Sequence, residues 1–415
     1  MRILVTRNVF AGFCSVNPSG GIDMPDFVSE AKALFEYTRA IRRDLHQHPE
    51  LGFQETRTAG VVAKELSELG LNVSTGIAET GVVALLEGSH LGRTIMVRAD
   101  MDALPIVEET GAEYSSQNHG VMHACGHDGH TAILLTVAKI LCAHKDQLCG
   151  QIKFVFQPAE EGLGGAERMI AAGVLENPKP EIALALHLWN DQPLGWVGIA
   201  NGAALAGAEI FNIKIKGKGG HGAAPHLSHD PVLAASQIVV ALQSIVSRNV
   251  EPLQAAVVSV CTIRGGEAFN VIPQEVELSG TIRTFLPIVR DRVLERFEII
   301  VYGLAETFGC HAEVDLQRLA PAVINKAEIS AQIQAISIDL FPEAVLDTSN
   351  NVTMGSEDMA FIMEEIPGCF FFLGSANKEK NLDASHHHPR YDFDEQVLPR
   401  AAALLAASAY HLASG

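Results

Sequence analysis

The chain has 415 residues, of which 47% are hydrophobic and 19% charged, and its formal net charge is −19. Such a composition buries sizeable cores and excludes a disordered chain, and the length exceeds one ordinary core and calls for two domains. The acidic balance speaks against nucleic acid and anionic membrane as partners, although a local arginine can still receive an anionic small molecule.

Residues 1–25 read as a loose leader rich in Gly, Pro and Ser. They lack the long apolar run and small-residue cleavage site of a signal peptide. No run of about 18 consecutive apolar residues marks a membrane span. Seven cysteines at irregular spacing do not look like a disulfide framework, which points to a reducing, cytoplasmic setting.

A helix is expected over 26–47 and another over Thr56–Leu69, ended by Gly70. Val82–Leu86 and Thr94–Val97 read as short strands. His130–Ala143 carries Ile133, Leu134, Val137, Ile140 and Leu141 at helical spacing. Ile152–Phe156 and Ile182–Leu186 are continuous apolar runs of strand length, which suit a parallel sheet covered on both faces. The pattern changes near Ala208. Phe211–Lys216 alternates, Asp230-Pro231 opens a helix to about Val246, and Ala256–Ile263 and Val276–Ile282 read as strands. A helix over Val289–Phe308 and a strand at His311–Leu316 complete a βαββαβ order, the ferredoxin-like signature. After Pro321 come a helix, the strand Cys369–Leu373 and a long helix from about Val397. The expected fold class is therefore α/β: a catalytic domain with a mixed, largely parallel sheet (26–207 and 320–415), interrupted by an inserted ferredoxin-like α+β domain (208–319).

Five polar segments stand where strands should end: Asp100-Met101-Asp102, His123 to Asp128, Glu160-Glu161, His187 and His386-His387-His388. In open α/β sheets, ligands bind beyond the carboxyl ends of the strands, so these segments share one address. Cys125 and His127 flank a glycine in a turn, where thiolate and imidazole can converge on one ion. Asp128 can accept from a liganding imidazole. Of the adjacent carboxylates Glu160 and Glu161, one can bind metal while its neighbour takes a proton from water. Each segment alone has a blander reading: a buried thiol, a helix cap, a solvated acidic turn, a core histidine or a polar surface run. Their joint placement favours a metal-dependent hydrolase. In the inserted region, Gly217 to Gly222 lets the backbone turn while His221 projects. Asn270 and Arg283 are polar residues beside or on the domain's strands, and Arg283 suits a carboxylate, although ordinary turn or sheet-face polarity is the plainer reading of all three.

These residues resemble the M20 metallopeptidase family, in particular its amidohydrolase branch of hippurate hydrolases, N-acyl-amino-acid deacylases and plant enzymes that release auxin from amino-acid conjugates. The matching segments are Arg43 to Glu50, Arg98 to Pro105, His123 to His130, Gln157 to Gly162, Gly219 to Pro225, Phe269 to Pro273, Met354 to Asp358 and His387 to Asp392. The resemblance implies two divalent ions per subunit (Mn²⁺, Zn²⁺, Co²⁺ or Ni²⁺) held by Cys125, His127, Glu161, His187 and His387. It implies Glu160 as general base, and His221 as the lid histidine that polarises the scissile carbonyl. It places Asn270 and Arg283 at substrate-binding positions, with Asp100 and Asp128 supporting the ligands. The inserted domain is implied to act as lid and as the contact of a homodimer. The expected substrate is an N-acetyl or N-benzoyl type amino acid, cleaved to a carboxylic acid and a free amino acid. A di-/tripeptidase or carboxypeptidase of the same fold is the alternative. An inactive binding scaffold would have lost Glu160 or several ligands, and all are present.

Overall fold

The computed structural model describes residues 24–349 and 351–415. The expected leader, apart from Met24 and Pro25, lies outside the described residues. Two compact units emerge. The first comprises the described residues up to Gly202 together with Ile324–Asn351 and Phe361–Gly415; the second comprises Ala203–Val323 and Val352–Ala360. The short segment Val352–Ala360, read from sequence as part of the catalytic domain, groups with the second unit because Thr353 bonds the backbone of Ala204 and Ala206.

The first unit is built on an eight-stranded sheet. Its order runs from Asn72–Ile77 through Gly81–Glu87, Cys149–Gln157, His90–Asp100, Ile182–Pro193, Gly368–Ala376 and Trp196–Gly198 to Val345–Asp347. The four neighbours from Cys149–Gln157 to Gly368–Ala376 are parallel, and the pairings of Asn72–Ile77 and Gly81–Glu87 are antiparallel. The central strands are buried almost end to end, as expected for a sheet covered on both faces. Helices His127–Ala143 and Val397–Ala413 pack against one another and are buried nearly all round. The second of these presents Ala401, Ala402, Ala403, Ala406, Ala407 and Ala409 to its neighbours. Small side chains of this kind let backbones approach closely while large apolar groups fill the remaining space.

Register sets the level of the strand ends. Asp100 lies opposite Gln157, Arg98 opposite Ala185, and His187 opposite Phe372. The ends of the strands His90–Asp100 and Cys149–Gln157 are thereby level, and the same register carries His187 on the neighbouring strand to that row.

Among the differences from the sequence expectations, three bear on periodicity. The helix over 26–47 breaks at Leu34 into Phe27–Ala33 and Phe35–Gln47. The buried face (Phe27, Ala31, Thr38, Arg42, Leu45) continues across the break, so the apolar pattern does not register it. The helix expected from His130 starts at His127, because its first turn is polar and carries no apolar periodicity. The strand expected to end at Leu186 continues to Pro193, which puts His187 inside a strand rather than beyond it.

In the second unit, four antiparallel strands lie in the order Ala256–Arg264, Glu275–Thr284, Gly207–Lys216 and His311–Ala320. Helices Pro231–Ser244 and Pro287–Thr307 cover the sheet around a core that includes Phe211, Ile213, Ile238 and Phe297. With the βαββαβ chain order this is the ferredoxin-like arrangement. Asp230 caps the first helix, accepting from the amides of Val232 (2.8 Å) and Leu233 (3.3 Å), and Pro231 follows at the first position. The apolar stretch Pro231–Asn249 is long enough by composition to cross a membrane, but it buries Ala234, Ala235, Ile238 and Leu242 in this unit's own core.

Phe371 sits in the central sheet with no exposure. Phe371→Ala is expected to destabilise the first unit by about 3–5 kcal/mol. Urea unfolding checks this; an unchanged midpoint would mean that the strand contributes little to the core.

Candidate metal centre

Asp100 closes the strand His90–Asp100 and is fully buried. Its Oδ2 accepts from Arg98 Nη1 (2.7 Å), its Oδ1 from His130 Nδ1 (2.7 Å), and its carbonyl from Thr131 Oγ1 (2.8 Å). Burial alone would raise its pKa, but the neighbouring His127, His130 and Arg98 hold it well below the usual carboxylate range. The Leu188 amide donates to His130 Nε2 (3.0 Å). Both nitrogens of His130 are thus engaged, and the ring ties the helix His127–Ala143 to two neighbouring strands.

Gly126 introduces that helix at φ 91°, a conformation that costs little only without a side chain. A Cβ there would also come within 2.8 Å of the Tyr391 hydroxyl. This turn sets Cys125 and His127 on either side of the helix start. His127 Nδ1 donates to Asp102, 2.9 Å from its carbonyl and 3.2 Å from its Oδ1. His127 Nε2 is buried and has no hydrogen-bond partner. An imidazole oriented by a carboxylate through one nitrogen, with the other bare, has the form of a metal ligand. Asp102 also accepts from the Glu161 amide (3.0 Å), so one side chain orients two donor-bearing segments.

His187 Nδ1 donates to the Leu188 carbonyl (2.7 Å), which turns its Nε2 to within 3.5 Å of Cys125 Sγ. His387 has φ 63° and donates its amide to Ala124 (2.8 Å); its Nε2 stands 3.2 Å from Glu161 Oε1. Among the three adjacent histidines, His387 alone joins the donor group among the described residues. His386 instead donates to the Leu188 carbonyl (3.0 Å) and packs on Trp189. The His388 ring accepts from the Arg390 amide (3.0 Å).

One ligand atom each from Cys125, His127 and His187 lies within 4.8 Å of the others, and the same holds for Cys125, Glu161 and His387, and for His127, Glu160 and Glu161. These overlapping triads join all five sequence-selected donors and the neighbouring Glu160. Burial pushes the Cys125 thiol up, and the Glu161 charge adds to this. Hydrogen bonds to Cys125 and Glu161 raise His387 to about 10. The set therefore retains protons that a cation would displace, and the buried His127 Nε2, which has no hydrogen-bond partner, faces the same group. A divalent ion fits this donor chemistry.

Asp128 does not meet a donor imidazole. Its Oδ2 accepts from Arg42 Nε (2.8 Å) and His46 Nδ1 (2.8 Å). Arg42 is fully buried, also pairs with Asp392 (2.6 Å) and Glu395 (3.2 Å), and stacks between Tyr114 and Phe393. The role expected of Asp128 falls to Asp102, which sequence reading noted in its segment but assigned no task. Its signal was the spacing Asp100-Met101-Asp102 just past a buried strand. In the second unit, His221 lies opposite Val271 in a two-residue ribbon, so Asn270 adjoins it. Arg283 lies on the four-stranded sheet, half-buried, bonded to Thr281 and to the Ile282 carbonyl.

A largely parallel sheet that presents thiolate, imidazole and carboxylate donors beside a further carboxylate defines a metal-dependent hydrolase of amide bonds. The chain belongs to peptidase family M20/M25/M40, whose pattern matches residues 96–411. It is 40% identical over 418 residues to IAA-amino acid hydrolase ILR1-like 4 of Arabidopsis thaliana, covering 98% of this chain and 93% of that protein. It is 40% identical over 373 residues to N-acetyl-L-cysteine deacetylase of Bacillus subtilis, covering 90% and 87%. A crystal structure described as a dinuclear metal-binding peptidase of family M20 from Bacillus subtilis superposes with a TM-score of 0.81 at 34% identity, covering 92% of this chain and 99% of that one.

The Arg42–Asp128–His46 cluster gives a pH signature. Burial opposes the charge on His46, but the Asp128 carboxylate outweighs it and holds the pKa up at about 9. The unfolded value is about 6.5. The stabilisation is therefore complete below about pH 6.5 and is lost as pH rises through about 9. The Tm difference between wild type and His46→Gln is expected to be largest at pH 6 and to shrink steadily towards pH 9.5; a difference that grows with pH would contradict the charged state assigned to His46.

Proposed function

We propose that this enzyme hydrolyses N-acyl amino acids of N-acetyl or N-benzoyl type, releasing a carboxylic acid and a free amino acid. The observation that carries the reading is the overlap of the five donors with Glu160 at one edge of the sheet. The relatives named for hydrolysis of IAA-amino acids and deacetylation of N-acetyl-L-cysteine support this substrate class.

In this reading Cys125, His127, Glu161, His187 and His387 hold two divalent ions, of which Mn²⁺, Zn²⁺, Co²⁺ and Ni²⁺ suit the mixed donor set. The bound metal supplies Lewis acidity, polarising the amide carbonyl and making water more acidic. Glu160 takes the proton from the attacking water and returns it to the departing nitrogen, which must leave as an amine. Asp102 keeps the His127 ring in one tautomer and fixes the Glu161 amide. Asp100, held by Arg98 and His130, keeps negative charge beneath the donors. His221 is assigned a hydrogen bond to the carbonyl oxygen as negative charge develops there. Asn270 and Arg283 are assigned to the substrate's free carboxylate. A cytoplasmic setting suits a thiolate ligand, since it keeps Cys125 reduced.

Pairing of two copies through the inserted unit is supported by the apolar groups that it leaves exposed, among them Val240, Leu253, Ile288 and Ile299. A second substrate reading, carboxypeptidase action, is favoured by a relative at 37% identity over 385 residues named thermostable carboxypeptidase 1, from Saccharolobus solfataricus. A panel of N-acetyl amino acids, N-benzoyl amino acids and free dipeptides, assayed after loading with each metal, separates the two; preference for free dipeptides would overturn the acyl-amino-acid reading.

Glu160→Ala is expected to retain bound metal while turnover falls by roughly 10²–10⁴-fold. Near-normal turnover would remove Glu160 from the base role. Cys125→Ala is expected to lower metal per chain by elemental analysis, and unchanged content would remove Cys125 from the ligand set.

A further inference from the structure

The loop that carries Glu160 and Glu161 begins at Ala159, a buried residue with φ 55°. An alanine does not hold this left-handed conformation by its own preference, so its surroundings must impose it. The Ala159 carbonyl accepts from the Gly165 amide (3.1 Å). Gly52 faces the Ala159 methyl, and a Cβ on Gly52 would stand 3.0 Å from it. The third restraint is Glu55, whose Oε1 accepts the Ala159 amide at 2.8 Å and whose Oε2 accepts the Thr80 hydroxyl at 2.6 Å.

Glu55 is fully buried, and no cation pairs with it among the described residues. Burying a carboxylate without a counter-charge is costly, and both of its oxygens are spent on these two donors. Helix capping does not account for it. Glu55 stands at the N-cap of Thr56–Glu68 yet makes no side-chain cap bond. Glu50 caps that helix instead, accepting from the amides of Arg57 (2.9 Å) and Thr58 (2.8 Å). The Glu55 carboxylate is thus released from its own helix and committed to the loop.

We infer that Glu55 is a positioning residue for the hydrolysis: by clamping the Ala159 amide, it fixes the direction in which Glu160 leaves the loop. This rests on the base role proposed for Glu160. A relaxed Ala159 would change φ by about 100° or more, enough to move the Glu160 carboxylate well off the water it must deprotonate. Glu161 is less exposed to such a change, because its amide is separately held by Asp102.

The test uses the metal-loaded full chain and an N-acetyl amino acid substrate. Glu55→Ala is expected to lower kcat about tenfold or more, with KM changed by less than about threefold and metal content retained. Glu55→Gln should restore most of kcat, since its amide oxygen can accept from Ala159 and its amide nitrogen can donate to Thr80 Oγ1. Glu50→Ala is the structural control, expected to lower Tm by removing the helix cap while leaving kcat near wild type. Combining Glu55→Ala with Glu160→Ala should cost no more than Glu160→Ala alone.

A kcat for Glu55→Ala within about twofold of wild type would overturn the inference, as would an equal kcat loss in Glu50→Ala, or additive losses in the double variant. Should Glu55→Ala not fold, Glu55→Asp, too short to reach both donors, carries the same expectations. If Glu160→Ala itself stays active, the base role fails and this inference falls with it. If Glu160→Ala is inactive but Glu55→Ala is not, only the inference fails.

Discussion

The site depends on register. Asp100, the end of the strand Cys149–Gln157, and His187 lie in one row because three parallel strands pair without slippage over their buried central stretches. A one-residue slip would turn every alternate side chain to the other face, so Ile95 and Val97 would have to repack in the opposite layer as Asp100 was displaced. The hydrophobic core therefore enforces the position of the polar residues.

Rigid elements then deliver side chains that would otherwise repel or strand one another. Asp100 is buried, but three cationic or protonatable neighbours surround it. His130 spends both nitrogens on Asp100 and Leu188, so it fixes geometry and leaves no nitrogen to bind an ion. His127 spends one nitrogen on Asp102 and leaves the other bare. The same residue type three positions along one helix thus takes opposite tasks, decided by what the second nitrogen meets. Behind them, Arg42 gathers Asp128, Asp392 and Glu395 and ties the helix Phe35–Gln47 to the segment after His387. Removing one member of such a cluster leaves its partners buried and unpaired, which is why these groups behave as a unit.

Much of this was legible in the sequence, and the reasons are specific. Continuous apolar runs at Ile152–Phe156 and Ile182–Leu186 marked buried parallel strands, and polar residues beyond them pointed to the sheet's carboxyl edge. The alternation of Phe211–Lys216 and the Asp230-Pro231 helix start marked the inserted unit. The donors Cys125, His127, Glu161, His187 and His387 were singled out by residue type and resemblance, and they share overlapping triads. What escaped was whatever depends on which hydrogen bond a side chain makes. Asp128 looks like a partner for a neighbouring imidazole, yet it faces the other side of its helix towards Arg42 and His46. Asp102 takes the partner's place from the loop just past the strand His90–Asp100, a pairing that no local pattern encodes. Glu55 reads as an ordinary helix-start acid, and only the prior claim of Glu50 on the helix amides reveals that it is engaged elsewhere.

Two left-handed residues other than glycine stand beside or among the donors. Ala159 and His387 both adopt left-handed conformations without being glycine, at about 1–2 kcal/mol each. Glycine would relieve the strain but could not serve at either place. The Ala159 methyl is buried against Gly52, and the His387 ring reaches Glu161. Each conformation is imposed by a long-range bond on the residue's own amide: Glu55 holds that of Ala159, and the Ala124 carbonyl holds that of His387. The second bond joins two donor segments directly, because Ala124 precedes Cys125. Strain held by contacts between distant segments can persist only while the surrounding fold is intact. The geometry of the donor set is therefore a property of the packed unit as a whole, and an isolated loop carrying the same residues would not reproduce it.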